Sequence, residues 1–215
     1  STARLAAGAA KSGKDIQIHA YDKFTAKPST KETELYAKGI APFEGDDILP
    51  LAQQLLSDWS GMLRFHKGNI EELPWTGDPI EILAIDVFKK VALTDAMVAT
   101  FFPSLVPGRS LVLQQDFLHW SQPWLAAQMA RFGDVFEPMA FARRDTIGYL
   151  LRKPITPDIL ERARIADVTD AEMQTAIAEA KARFANWGIS NRFDEMSAGL
   201  AANPGVRVSW QMKRP

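Results

Sequence analysis

Apolar and polar positions along the chain fall into four short, strand-like runs separated by stretches with helical spacing. The runs cover residues 16–21, 62–66, 80–85 and 110–115. Each leads into a polar residue able to do chemistry: Asp22, Asn69, Asp86 and Asp116 respectively. Strands that alternate with helices predict an α/β fold with a doubly wound, mostly parallel sheet and right-handed crossovers. All four polar ends are then expected on one edge of a single sheet. Open α/β sheets bind ligands along that edge, beyond the carboxyl ends of the strands.

The segments between the strands carry their own signals. Residues 2–10 read as a helix with Ser1 or Thr2 as N-cap, and Gly13 marks the turn after it. Residues 23–45 hold Pro28, Gly39, Pro42 and Gly45 and read as a long loop with a helical turn near 33–38. Asp46 or Asp47 is positioned to cap a helix reaching Trp59, with Leu51, Leu55 and Trp59 facing the sheet. Thr94 reads as the cap of a helix running to Phe102. Ser121 and Pro123 open a helix that turns Leu125, Met129 and Phe132 inward and stops at Gly133.

Residues 135–142 and 146–151 flank Arg143, Arg144 and Asp145, and predict an antiparallel hairpin at the sheet edge with a solvated turn. Pro154 and Pro157 then break the pattern. Thr169 and Glu172 form a capping box ahead of a helix with Met173, Ile177, Ala180, Phe184 and Trp187 on one face. A last helix is expected over 193–202. The expected organisation is therefore an α/β domain over 1–152 and a helical C-terminal extension over 153–215. A doubly wound domain normally opens with a strand and a glycine-rich turn ahead of the first helix. Neither precedes residue 2 here, so the chain reads as starting just after them; a native start without the initiator Met is the other reading.

Composition narrows the function classes. Hydrophobic residues make up 47% and charged residues 24% of 215, ordinary values for a globular chain. The net charge of -1 gives no electrostatic reason to expect nucleic acid or an anionic membrane as partner. No apolar run approaches the length of a membrane span, about 18 residues or more. There is no cysteine, which excludes disulfides, thiolate metal sites and a cysteine nucleophile. That composition points to a cytoplasmic setting without excluding secretion.

Several segments together resemble the class I S-adenosylmethionine-dependent methyltransferases, and among them the bacterial small-molecule O-methyltransferases of the macrocin O-methyltransferase group. They are residues 1–6, 19–24, 67–70, 83–86 and 107–116, in that order and spacing, within a parallel run closed by an antiparallel hairpin. The resemblance covers about residues 1–152 and implies a Rossmann-like methyltransferase fold. It implies cofactor contacts at Ser1, Thr2, Asp22, Lys23, Asn69, Ile70 and Asp86. Asp22 would accept from the ribose hydroxyls, as the ribose acid of dinucleotide folds does. Asn69 stands where an acid usually meets the adenine amino group, and its amide oxygen can still accept that bond. The plain alternatives are a turn aspartate and an ordinary Gly-Asn turn.

Metal-dependent members of the family use an acid after the fourth strand and an acid pair after the fifth, oxygen ligands that suit Mg²⁺. Asp86 and Asp116 match two of these positions. The chain departs at two others: the fourth strand continues Val87, Phe88, Lys89 without a second acid, and the pair after the fifth strand is Gln115 and Asp116. Lys89 could occupy the space of a cation. His119, three residues beyond Asp116, is a candidate general base, because an imidazole titrates near neutral pH. Asp116, His119 and Asp86 are thus the candidate catalytic residues. His19 and His66 lie inside strands and read as packing residues. Trp120 and Trp124 read either as pocket walls or as helix-to-sheet packing.

The expected activity is methyl transfer from S-adenosylmethionine to a hydroxyl of a small molecule, such as a sugar. The alternative is a catalytically degenerate module of the same fold, serving interaction or carbohydrate handling within a longer chain or a homo-oligomer. Loss of acids around Asp86 and Asp116 is the feature behind that alternative.

Overall fold

The computed structural model describes residues 2–142 and 144–215, which form two compact units, 1–74 and 75–215. In the first, helix α1 (Thr2–Ser12) buries Ala6 and Ala9, small residues one turn apart that let it lie close to the turn at 57–62. Strand β1 (Ile18–Asp22) pairs in parallel with β2 (Leu63–Lys67), so that Asp22 lies opposite Lys67. Parallel neighbours need a crossover of a dozen or more residues, and residues 23–62 supply it. The expected loop there holds helical turns running from α2 (Pro28–Thr30) through Lys31–Leu35 to Tyr36–Lys38. Lys31 fastens this stretch: its Nζ donates to the carbonyls of Phe43 (3.3 Å) and Gly45 (2.9 Å). Helix α3 (Leu49–Leu55) follows.

The second unit is built on a mixed sheet. Strand β3 (Ile82–Ile85) is followed by helix α4 (Val91–Phe101) and by β4 (Leu111–Gln114), parallel to β3. Helix α5 (Trp124–Phe132) leads to β5 (Phe136–Ala142) and β6 (Thr146–Leu151), an antiparallel hairpin. The spatial order is β3-β4-β6-β5. Pro138 sits in the edge strand β5, the place in a sheet where proline is tolerated, and a bulge at 138–140 blunts that edge further. Helices α6 (Pro157–Arg162), α7 (Asp170–Arg183) and α8 (Ser190–Ala202) complete the unit. The capping box at the start of α7 is made in both directions: Thr169 Oγ1 accepts from the Glu172 N–H, and Glu172 accepts from the Thr169 N–H.

The core of this unit is aromatic. Phe102, Phe132, Phe136 and Tyr149 pack edge to face or stacked on one another, and Phe117 joins Tyr149 to Phe184 and Phe193. Leu125, Met129 and Phe132 of α5 face inward as the spacing predicts, and Gly133 ends the helix with a φ of 63°.

Three expectations are corrected. The strands do not form one sheet: β1 and β2 belong to a two-stranded parallel sheet, the other four to the mixed sheet. Alternation predicts that strands exist but not which ones become neighbours. Thr94 is not an N-cap. Helix α4 starts three residues earlier, with Lys90 at the cap, and the Thr94 hydroxyl donates back to the Lys90 carbonyl at 2.8 Å, a bond available to threonine inside a helix. Leu55 does not face a sheet. It is 59% exposed, because α3 ends there and the chain continues as a tighter turn that rotates Trp59 out of the four-residue register.

Candidate active site

The carboxyl ends of β3 and β4 lie side by side, since Ile85 is in register with Gln114 and the Gln115 N–H donates to the Ile85 carbonyl at 2.9 Å. Asp86 is the next residue after β3, and Asp116 follows β4 by two. Asp116 has a φ of 58°, the left-handed region that aspartate tolerates better than most side chains. The turn it makes is closed by the His119 N–H on the Asp116 carbonyl (2.9 Å) and tied to the hairpin by the Leu118 N–H on the Asp145 carbonyl (3.0 Å).

Lys89 joins the two strand ends. Its ammonium pairs with Asp86 at 3.3 Å and with Asp116 in a closer contact. The turn that carries it is held from two sides. Trp124, wholly buried, donates its indole N–H to the Phe88 carbonyl at 3.0 Å. The C-terminal segment donates the Ser209 N–H to the Lys89 carbonyl (2.8 Å), accepts from the Val91 N–H through Arg207 (3.2 Å), and bridges Lys90 to Val208. Lys90 in turn lies over the Trp210 ring at 5.3 Å.

This arrangement bears on Mg²⁺. Magnesium requires near-ideal octahedral oxygen ligation and is held through carboxylates that are free to give it their charge. Here both candidate carboxylates already face one side-chain cation, and no group of three or more metal-ligating side chains occurs among the described residues. The residues do not fit the ion. Lys89→Ala is expected to create a weak divalent site where the wild type has none. Titration with Mn²⁺, followed by water proton relaxation, checks this; equal binding by the wild type would refute it.

His119 is half-buried one turn beyond Asp116. Its Nδ1 lies 2.8 Å from the Ser121 hydroxyl and accepts from the Ser121 backbone N–H at 3.3 Å. The Ser121 hydroxyl is 2.6 Å from that of Ser209. Burial pushes the imidazole below its ordinary value; Asp145 pulls it up, and Lys89, Arg192 and Arg214 push it further down. Asp145, expected in a solvated turn, is instead the partner of Arg192 on α8, which also reaches Glu195 at 3.6 Å. Arg143 of that turn lies outside the described residues.

In the first unit, Asp22 is exposed at the end of β1. Its Oδ1 accepts from the Phe24 N–H at 2.6 Å, and its carbonyl accepts from the Gly68 N–H at 3.0 Å. Asn69 follows β2 by two residues, on the same edge of that sheet as Asp22. Its Nδ2 donates to Glu72 (3.1 Å) and Glu71 (3.3 Å), which orients the amide. Lys23 is exposed, and Ile70 and Thr2 are half-buried, Thr2 as the first residue of α1. Ser1 lies outside the described residues. His19 and His66 pair across β1 and β2, Nδ1 to Nε2 at 2.9 Å, with Tyr21 stacked on His66.

Asp86, Lys89, Asp116 and His119 therefore come together in the second unit, and Asp22 and Asn69 share an edge in the first. Trp124 is core, and the Trp120 ring packs on α8: a Cβ on Gly199 would stand 2.9 Å from its Cε3. The sequence reading took Ser121 only as a helix opener and missed Ser209 and Arg192. A serine two residues beyond a histidine, ahead of Pro123, is a signal for Ser121; Ser209 and Arg192 arrive through contacts between residues far apart in the chain. No family model matches this chain, and no curated protein matches it.

Proposed function

We propose that the protein transfers a methyl group from S-adenosylmethionine to a hydroxyl of a small molecule. The supporting observation is the second unit's sheet, a parallel pair closed by an antiparallel hairpin, with Asp86, Lys89, Asp116 and His119 gathered at the carboxyl ends of its parallel strands. The parallel pair and hairpin are the later part of the succession on which the methyltransferase resemblance rests, and that edge is where open α/β sheets bind ligands.

The cofactor supplies a methyl group already activated on a sulfonium. What remains for the protein is to position the acceptor and remove its proton. In the first unit, Asp22, its carboxylate held by the Phe24 N–H, would accept from the ribose hydroxyls. Asn69, its nitrogen committed to Glu71 and Glu72, has its amide oxygen left to accept and would hold the adenine amino group. In the second unit, Lys89 holds Asp116 in place, and His119 would take the proton.

Calorimetry with S-adenosylmethionine tests the reading on the intact protein. Asp22→Ala is expected to weaken binding by about 1.5–3 kcal/mol, the range for hydrogen bonds to a charged group. Absence of binding, or an unchanged affinity in Asp22→Ala, would remove the proposal's foundation. The Lys89 bridge also supports a second reading, a degenerate module of this fold whose acids serve structure. A protein that binds the cofactor and turns over no hydroxyl acceptor would favour it.

A further inference from the structure

The nitrogen of His119 that can accept a proton is fixed by its backbone neighbour. The Ser121 backbone N–H points at Nδ1, so Nδ1 carries a lone pair and the neutral ring holds its proton on Nε2. A nitrogen that already bears a proton takes no other. Only Nδ1 can receive one, and the group set against it is the Ser121 hydroxyl, 2.8 Å away. Ser121 is itself buried, 2% exposed. Its hydroxyl meets the partly exposed Ser209 hydroxyl at 2.6 Å. With Ser121 O–H donating to Nδ1, Ser209 O–H is left to donate to Ser121.

We propose that Ser209, Ser121 and His119 form a proton line, in which the acceptor hydroxyl docks on Ser209 and His119 receives a proton at Nδ1. The proposal rests on the methyl-transfer reading for its substrate, though not for its geometry. The acceptor oxygen bonds to the methyl carbon as the carbon–sulfur bond breaks, and it releases its proton to Ser209 Oγ. Ser209 passes its own proton to Ser121, and Ser121 passes its own to Nδ1. Both serines end neutral, the sulfonium becomes a neutral thioether, and the positive charge finishes on the imidazole. Asp145 faces that charge favourably, while Lys89, Arg192 and Arg214 oppose it and favour the next release of the proton.

The C-terminal segment is thereby part of the site. Ser209 is set in place by its N–H on the Lys89 carbonyl and by the Met212 N–H on its own carbonyl at 3.2 Å, next to the Lys90 and Val208 bridge. The residues that hold Lys89 against Asp116 are the same ones that bring Ser209 to Ser121. Ser209 touches the acceptor in this scheme; Ser121 acts through His119 and is a positioning and relay residue.

Nitrogen-15 NMR of protein labelled at histidine, at a pH where His119 is neutral, tests the line without any substrate. The Nε2–H tautomer is expected for His119. Ser121→Ala should move the Nδ1 resonance toward that of a free acceptor nitrogen. Ser209→Ala should move it in the same direction by less, and Ser209→Thr should restore it. A purely structural Ser209 would leave Nδ1 unmoved. An Nδ1–H tautomer in the wild type, or an Nδ1 resonance indifferent to Ser209→Ala in a protein with an otherwise preserved amide spectrum, would overturn the line. Failure of the cofactor calorimetry would instead remove the methyl donor and leave the tautomer result as measured, so the two failures are distinct.

Discussion

Replacing Trp124 with alanine is expected to lower the stability of the protein by about 3–5 kcal/mol, the range for large-to-small changes in a packed core. Trp124 is wholly buried, and its indole N–H satisfies the Phe88 carbonyl, itself part of a buried residue. Truncation opens a cavity and leaves that carbonyl without its donor, which adds to the loss. A domain of ordinary stability has about 5–15 kcal/mol in hand, so much of it would go. Trp124→Phe separates the two contributions, because it keeps most of the volume and removes only the donor; about 1–3 kcal/mol is expected. Urea unfolding of the three proteins measures both steps. A loss below 1 kcal/mol for Trp124→Ala would mean that the packing around it is looser than the structure has it.

The same substitution reaches the candidate site. Phe88 precedes Lys89, and the Trp124 bond is one of the two fastenings of the turn that holds the ammonium between Asp86 and Asp116. The other is the C-terminal segment at Arg207, Val208 and Ser209. The site's cation is therefore positioned by core packing and by a terminal strap, not by an ionic contact alone. An ion pair this exposed contributes little to stability by itself, and its place in the structure is better understood as orientation of Asp116.

How much of this was legible in the sequence depends on the range over which each feature is determined. The positions of β1, β2, β3 and β4 follow from local apolar runs, and the polar residues beyond them were identifiable at once. The capping box at Thr169 and Glu172 is a four-residue signal, and it forms as written. The inward face of α5 follows from spacing alone. Pairing is different. That β1 and β2 make their own sheet is settled by contacts between segments, which no local pattern encodes. Thr94 shows a subtler failure: a threonine before a helical run looks like a cap, but its hydroxyl can equally bond back to a carbonyl inside the helix. Lys89 was visible as a possible cation because it stands three residues after Asp86; its second partner, Asp116, required the parallel register of β3 and β4. Ser209 and Arg192 reach the site from segments whose composition gives no hint of chemistry. The compact units part after Pro74. Helices α6 and α7 pack on α5 and α8 on α7, and that packing carries Arg192 to Asp145.

On the proposed methyl-transfer reading, His119→Ala is expected to reduce turnover about 10²–10⁴-fold, the usual worth of a positioned base. The pH dependence should identify the imidazole. An ordinary histidine titrates near about 6.5, and burial with three neighbouring cations against one carboxylate moves His119 lower. The group is therefore neutral and able to accept a proton at pH 7 and above, and remains so somewhat below 6.5. Turnover should stay flat from neutral pH downward past the ordinary histidine value, then fall as the imidazole protonates and its lone pair is lost. The fall should be absent from the residual rate of His119→Ala. Stability carries the same sign: the folded state resists protonation of His119 more than the unfolded chain does, so its contribution is complete above about 6.5 and declines as pH drops through the lower folded value. A chelator should leave the rate unchanged, because Lys89 supplies the cation at Asp86 and Asp116. Chelator-sensitive turnover that survives His119→Ala would assign the chemistry to a bound metal and dismiss the imidazole as a packing residue.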